Sequence, residues 1–113
     1  IHGDLHYWNV HVYKGELYLI DFEDINRGYP IQDIAVTLSY GRQREGYQDW
    51  KEAFTEGYQE LRHWPAVGED VIPTLTIART TMFINYVARI EEEPQEYIQS
   101  RMKDLRTFLN EMA

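Results

Sequence analysis

The chain has 113 residues, enough for one domain, and its 11 Lys and Arg against 19 Asp and Glu give a formal charge of −8. This balance argues against nucleic acid or an anionic membrane as the main partner, because both attract clustered positive charge. A hydrophobic content of 43% excludes a disordered chain, and the lack of cysteine excludes disulfides and thiolate sites. With no apolar run near the ~18 residues of a membrane helix, we expect a cytoplasmic protein.

The first third of the sequence alternates polar loops with a predicted hairpin. Residues 1–9 lack periodicity and are typical of a loop. Val10–Tyr13 and Leu17–Ile20 are short apolar runs on either side of Lys14-Gly15-Glu16, where glycine favours a tight turn. Residues 21–29 form a second polar loop.

Four helices are predicted after this segment. The first begins at Pro30, and its apolar residues share one face until Gly41. Residues 47–63 form a regular amphipathic pattern, residues 70–92 are apolar on most sides, and a last helix starts at Pro94. The all-round apolar pattern of 70–92 predicts a helix buried in the middle of a bundle. The predicted fold class is α+β, mainly α.

The chemistry is concentrated in residues 2–9, HGDLHYWN, and in Asp21-Phe22, which follows Asn9 by twelve positions. The spacing His-x-Asp-x-x-x-x-Asn is typical of a kinase catalytic loop, and an Asp after a hairpin is typical of its metal ligand. Asp4 can orient an acceptor hydroxyl, whereas Asn9 and Asp21 offer the hard oxygen atoms that Mg²⁺ prefers. Because the hairpin reverses the chain, Asp21 returns towards Asn9.

These residues resemble the aminoglycoside phosphotransferases and the related choline, homoserine and stress-response kinases. The family signature reads H-G-D-L-H-x-x-N, then a hairpin, then D-F-[DE]-[DEY], then G-x-P-x-x-D-L-A. The matching segments here are HGDLHYWN, IDFED and GYPIQDIA, so the resemblance covers residues 2–36. The pair Tyr7-Trp8 departs from the pattern, because family members often carry small residues or proline before the Asn.

The resemblance implies a catalytic role for Asp4 and coordination of Mg²⁺ by Asn9 and Asp21. It places His6 where kinases have a Lys that faces the phosphate, and packing within the loop is an equally good interpretation of this residue. The implied cofactors are Mg²⁺ and ATP, or GTP, as the phosphate donor. The implied activity is transfer of the γ-phosphate to a hydroxyl group of a small molecule.

Further residues receive supporting roles from the same resemblance. Asp33 is expected to hydrogen-bond the catalytic-loop backbone, and His2 to pack within that loop. A carboxylate in the first turn of a helix also interacts favourably with the helix dipole, so Asp33 has a structural role in either case. Glu23 and Asp24 are candidates for contact with substrate, and solvated loop carboxylates are an equally good interpretation.

The resemblance also predicts that residues 1–113 are the C-terminal lobe of a protein-kinase-like enzyme. The nucleotide-binding N-terminal lobe is expected upstream, and without it we expect an inactive fragment whose exposed apolar surface favours self-association. The acidic charge suggests a cationic acceptor, such as an aminoglycoside or choline. A neutral or zwitterionic acceptor, such as a sugar or homoserine, stays open, because many proteins are acidic for solubility alone.

Two alternatives belong to other functional classes. His2, Asp4 and His6, with His11 nearby, could form the metal cluster of a hydrolase, although this leaves Asp21-Phe22 unexplained. A non-catalytic kinase-like binding module is the other alternative, and retention of the whole Asp and Asn set argues against it. The aromatic stripe of the second predicted helix is more typical of a core than of a ligand cage. Its members are Tyr47, Trp50, Phe54 and Tyr58.

Overall fold

A loop and a hairpin precede a series of helices in the computed structural model, which describes residues 1–42, 44–65 and 68–113. Within these residues the strands are β1 (Val10–Tyr13) and β2 (Glu16–Leu19). The helices are α1 (Pro30–Gly41), α2 (Tyr47–Leu61), α3 (Val71–Ile90) and α4 (Gln95–Met112). The predicted class, mainly helical with one hairpin, is confirmed.

The chain divides into two compact units, Ile1–Pro73 and Thr74–Ala113. The first unit contains the polar loops, the hairpin, α1, α2 and the start of α3. The second contains the rest of α3 and α4. Every residue that the sequence marks as a candidate for chemistry lies in the first unit. Across the described ranges, no helix has the length and apolar character needed to cross a bilayer.

The hairpin is a two-residue turn between short antiparallel strands. Lys14 and Gly15 both have positive φ, 51° and 81°, which is the type I′ geometry that matches the twist of paired strands. The register pairs Val10 with Leu19 and Val12 with Leu17. The predicted hairpin is confirmed, with its second strand displaced by one residue towards the turn.

Helix α1 supplies the buried core of the first unit. Pro30 occupies its first position, and Oε1 of Gln32 accepts the backbone N–H of Tyr29 at 2.7 Å, which satisfies a donor at the helix start. The face predicted from the sequence is buried, and Leu38 is only 1% exposed. The buried apolar side chains of this helix are Ile31, Ile34, Ala35, Val36 and Leu38.

Helix α3 corrects one expectation from the sequence. No described residue of Val71–Ile90 is buried, and Met82, Tyr86 and Ile90 are each 55% exposed. The prediction of a helix buried in the middle of a bundle is therefore wrong for this chain. An apolar pattern shows which surfaces favour burial, but burial itself depends on the elements that pack against them.

Candidate active site

The loop of residues 1–9 is held against the start of α1 by one carboxylate. Asp33, in the first turn of α1, accepts the backbone N–H of His2 at 2.8 Å through Oδ2 and that of Gly3 at 2.9 Å through Oδ1. Hydrogen bonds to a charged acceptor are stronger than neutral ones. This is the contact that a loop-supporting Asp33 requires, and it fixes the backbone immediately before Asp4.

His2 is a buried residue whose two ring nitrogens both face the main chain. Nε2 lies 2.9 Å from the carbonyl oxygen of Ile20, and Nδ1 accepts the N–H of Asp4 at 3.3 Å. A nitrogen that faces a carbonyl must carry the proton, so these partners define the neutral Nε2–H tautomer. The ring also packs on Phe22, with centroids 4.8 Å apart. His2 therefore joins the catalytic loop to the segment that carries Asp21.

Asp4, His6 and Asn9 lie together at the end of this loop. Nδ2 of Asn9 donates to the carbonyl oxygen of Asp4 at 3.0 Å and lies 3.5 Å from its Oδ2. Nε2 of His6 is 3.3 Å from the same Oδ2. The amino group of the Asn9 amide thus points at Asp4.

His6 is enclosed more than its loop position suggests. Its side chain is 12% exposed, and its ring packs on Tyr40 of α1 at a centroid distance of 4.4 Å. Among the residues that the structure describes, none offers a hydrogen-bond partner to the buried Nδ1 atom. The ring thus stands between the Asp4 carboxylate and the C-terminal end of α1.

Asp21 follows β2, and the residue before it, Ile20, is hydrogen-bonded to the loop. The N–H of Ile20 donates to the carbonyl oxygen of Asn9 at 3.1 Å, so the residue next to Asp21 is bonded to the other predicted magnesium ligand. Asp21 is exposed and has a φ of 61°, in the left-handed region that few residues other than glycine occupy. Backbone strain of this kind concentrates at functional sites.

Glu23 and Asp24 lie in the following loop, and both are exposed. The carbonyl oxygen of Asp24 accepts Nδ2 of Asn26 at 2.6 Å and lies against Gly3. Gly3 has a φ of +89°, and a Cβ atom there would lie 2.3 Å from that carbonyl oxygen. The backbone of Asp24 therefore packs on Gly3, whereas contact of the Asp24 and Glu23 side chains with substrate stays a prediction beside their interpretation as solvated carboxylates.

The alternative transition-metal cluster has no geometric support. Among the described residues, no group of three or more His, Asp or Glu side chains is arranged to hold one metal ion. His11 lies on β1, where it pairs with Tyr18. Both ring nitrogens of His2 face backbone atoms. One amide and one carboxylate, Asn9 and Asp21, instead suit Mg²⁺, which keeps water and phosphate oxygens as its other ligands.

Two residues of α1 that support the loop were missed by sequence reasoning. The hydroxyl of Thr37 donates to the carbonyl oxygen of Leu5 at 2.6 Å, with the carbonyl oxygen of Asp33 at 3.0 Å. Tyr40 packs on His6 as described above. Thr37 is four residues after Asp33 and therefore on the same helix face, a spacing that could have identified it.

A fixed Asp and Asn on one loop, with a second Asp after a hairpin, define the catalytic-loop pattern of a phosphotransferase. The profile of the phosphotransferase enzyme family, APH, matches residues 1–69. The chain therefore belongs to this family, which confirms the resemblance to the aminoglycoside phosphotransferases and choline kinases. No curated protein and no solved structure matches the chain.

Proposed function

We propose that the chain is the acceptor-binding lobe of a kinase that transfers the γ-phosphate of ATP or GTP to a hydroxyl of a small molecule. The observation that carries this proposal is the pair of hydrogen bonds that the backbone N–H groups of His2 and Gly3 donate to the Asp33 carboxylate. It fixes the loop so that Asp4 is held beside Asn9. Positioning supplies most of the catalysis in phosphoryl transfer, so a fixed loop is what the reaction requires.

Asp4 acts on the acceptor in this proposal. Its carboxylate accepts the hydrogen bond of the attacking hydroxyl and takes its proton as the new P–O bond forms. The bond between the γ-phosphorus and the β–γ bridging oxygen breaks in the same step, and the nucleoside diphosphate leaves. His6, 3.3 Å from Oδ2 of Asp4, faces the transferred phosphate from the adjoining position. The side chain of Asp4 is 20% exposed, so a ligand can reach it.

Asn9 and Asp21 would hold Mg²⁺ through an amide and a carboxylate oxygen. When bound, the ion offsets negative charge on the phosphates of the donor nucleotide. The hydrogen bond from Nδ2 of Asn9 to Asp4 sets the direction of the amide, and the bond between Ile20 and Asn9 keeps Asp21 at the edge of the loop. These contacts support a common location for the proton-accepting group and the proposed metal ligands.

The proposal assigns the covering of the nucleotide to a second lobe, expected upstream in the full-length protein. This agrees with the exposed apolar side chains of the first unit, such as Val12 and Leu17. It also accounts for the expectation that residues 1–113 alone are inactive and self-associate. A cytoplasmic location is part of the proposal, since the cytoplasm supplies ATP.

Substitution of Asp4 in the full-length protein tests the proposed function. Phosphate transfer to a panel of small hydroxyl compounds is measured with labelled ATP, with and without Mg²⁺. We expect transfer to require Mg²⁺, and Asp4→Asn to lower kcat by ~10²–10⁴-fold, the usual contribution of a general base. The change removes a negative charge with almost no change of shape.

The matched control is Glu56→Gln, the same carboxylate-to-amide change at an exposed position of α2. It should leave kcat unchanged. An Asp4→Asn enzyme that retains more than about a third of the wild-type kcat would contradict the role of Asp4, since general-base catalysis is worth far more. Absence of any Mg²⁺-dependent transfer by the wild-type protein would contradict the proposed function itself.

A further inference from the structure

A surface cleft lies beside the loop of residues 1–9, between the C-terminal end of α1 and the start of α2. Its volume is about 220 Å³, which suits a small metabolite and not a macromolecule. Tyr7 brings the loop into this cleft, and it follows Asp4 by three residues. The Cα atoms of Tyr7 and Asp4 are therefore at most ~11 Å apart. The lining residues are Tyr7, Gly41, Arg44, Glu45, Tyr47 and Trp50.

One wall of the cleft is an aromatic surface packed on a glycine. The ring of Trp50 covers Gly41 so closely that a Cβ atom at Gly41 would lie 2.3 Å from the ring. Tyr47 lies beside Trp50, with ring centroids 6.0 Å apart. Burial raises the pKa of the Tyr47 phenol, although the charge of nearby Arg42 acts in the opposite direction. Tyr47 is therefore neutral at physiological pH and presents an intact hydroxyl.

Arg44 is the positively charged residue in the described lining of the cleft, and its contacts with Tyr7 and Gly41 hold it in place. Its guanidinium carbon lies 4.4 Å from the centroid of the Tyr7 ring, and its backbone N–H donates to Gly41 at 3.0 Å. Within the described part of the chain, no salt bridge pairs Arg44 with a carboxylate. A stacked guanidinium keeps its in-plane N–H groups available, and these match the two oxygens of a carboxylate.

Most of the acidic residues of α2 do not line this cleft. Asp49, Glu52, Glu56 and Glu60 of α2 are exposed, and only Glu45 contributes a carboxylate to the lining. Arg42 adds a second positive charge near Tyr47. The lining itself carries one positive and one negative charge, Arg44 and Glu45, so the cleft lacks the acidic excess of the whole chain.

We propose that this cleft binds the acceptor and that the acceptor carries a carboxylate, which Arg44 binds while Tyr7 holds the guanidinium in position. The hydroxyl of such a compound extends towards Asp4, and its carbon chain packs on Trp50. A hydroxy acid and a hydroxy amino acid share this chemistry. Glu45 offers a partner for the amino group of the latter. This inference rests on the proposed function for the assignment of the ligand as acceptor.

Binding of three related compounds to the full-length protein, measured by calorimetry without nucleotide, tests the inference. Homoserine has the hydroxyl, the amino group and the carboxylate. In 4-hydroxybutyrate the amino group is missing, and in 2-amino-1,4-butanediol the carboxylate is replaced by an alcohol. We expect at least one of the two carboxylates to bind at least about tenfold more tightly than the diol, as a charge-assisted bidentate contact implies. Which carboxylate binds better shows whether Glu45 contributes.

Variants of Arg44 test whether its guanidinium is the group that binds the carboxylate. Arg44→Gln should weaken carboxylate binding about tenfold or more, and Arg44→Lys should retain part of it as a point charge. Arg62→Gln, an exposed arginine outside the cleft, is the matched control and should leave binding unchanged. Circular dichroism of each variant confirms that the helices persist.

Tighter binding of the diol or of choline than of both carboxylates would overturn the inference. So would an unchanged affinity in a folded Arg44→Gln protein, or no binding of either carboxylate at millimolar concentration. These outcomes are distinct from failure of the proposed function. Transfer to a cationic alcohol that is insensitive to Arg44→Gln overturns only the inference, whereas carboxylate binding without phosphate transfer overturns only the kinase activity.

Discussion

The catalytic loop and the β1–β2 hairpin are adjacent in the chain, yet only the loop is fixed to the core. His2 and Asn9 of the loop are each 6% exposed, and Asp33 of α1 binds the loop backbone. Val12 and Leu17, a cross-strand pair of the hairpin, are 70% and 71% exposed. Polar residues can therefore be more buried than apolar ones where neighbouring loop and helix atoms satisfy their hydrogen bonds.

A pair of leucine substitutions should produce the largest difference in the free energy of unfolding between the two regions. Leu38→Ala removes a fully buried side chain of α1 and should lower the free energy of unfolding by about 2–5 kcal/mol. Leu17→Ala makes the same change on the exposed hairpin and should cost at most about 0.5 kcal/mol. Urea denaturation of the two variants measures both values. Equal losses would show that the hairpin is covered in solution.

Alanine substitution of two glycines compares the effect on stability of a close contact in the loop with that of an open hairpin turn. Gly3→Ala places a Cβ atom against the backbone of Asp24 at a positive φ, so we expect a loss of about 2–4 kcal/mol in the free energy of unfolding. Gly15→Ala has the same positive φ but nothing within 4 Å, and should cost only about 1–2 kcal/mol. Thermal and urea unfolding measure the difference. A Gly15→Ala protein as unstable as Gly3→Ala would mean that strain alone, and not the close approach, determines the loss.

The attachment of the loop to α1 is tested by Asp33→Asn. An amide presents one acceptor and one donor to the two N–H groups of His2 and Gly3, so one donor loses its partner, at a cost of about 1–3 kcal/mol. Asp49→Asn is a matched control, because Asp49 is also the acidic residue in the first turn of its helix. Its loss should be about 0.3–1 kcal/mol, the usual value of the helix-dipole interaction. Equal losses in the two variants would mean that Asp33 stabilises the protein only through its interaction with the helix dipole.

Local patterns predicted most of the elements. The Lys14-Gly15 turn, the apolar face of α1 and the amphipathic pattern of α2 each depend on residues close in sequence, and the structure contains all three. The apolar residues of α3 gave a wrong expectation of burial, since the sequence around a helix does not specify what packs against it. The role of Asp33 came from the family resemblance and not from its spacing alone.

The sequence by itself determined the chemistry-bearing residues of the loop and the family of the chain, because HGDLHYWN and the following Asp-Phe are short local motifs. Only the tertiary structure decided which atoms hold the loop residues in position. Asp33 lies 31 residues from His2, and Thr37 lies 32 residues from Leu5. The cleft similarly depends on the contact between Tyr7 and Arg44. Contacts over such separations are set by how α1 packs on the loop, and no periodicity in the sequence encodes that distance.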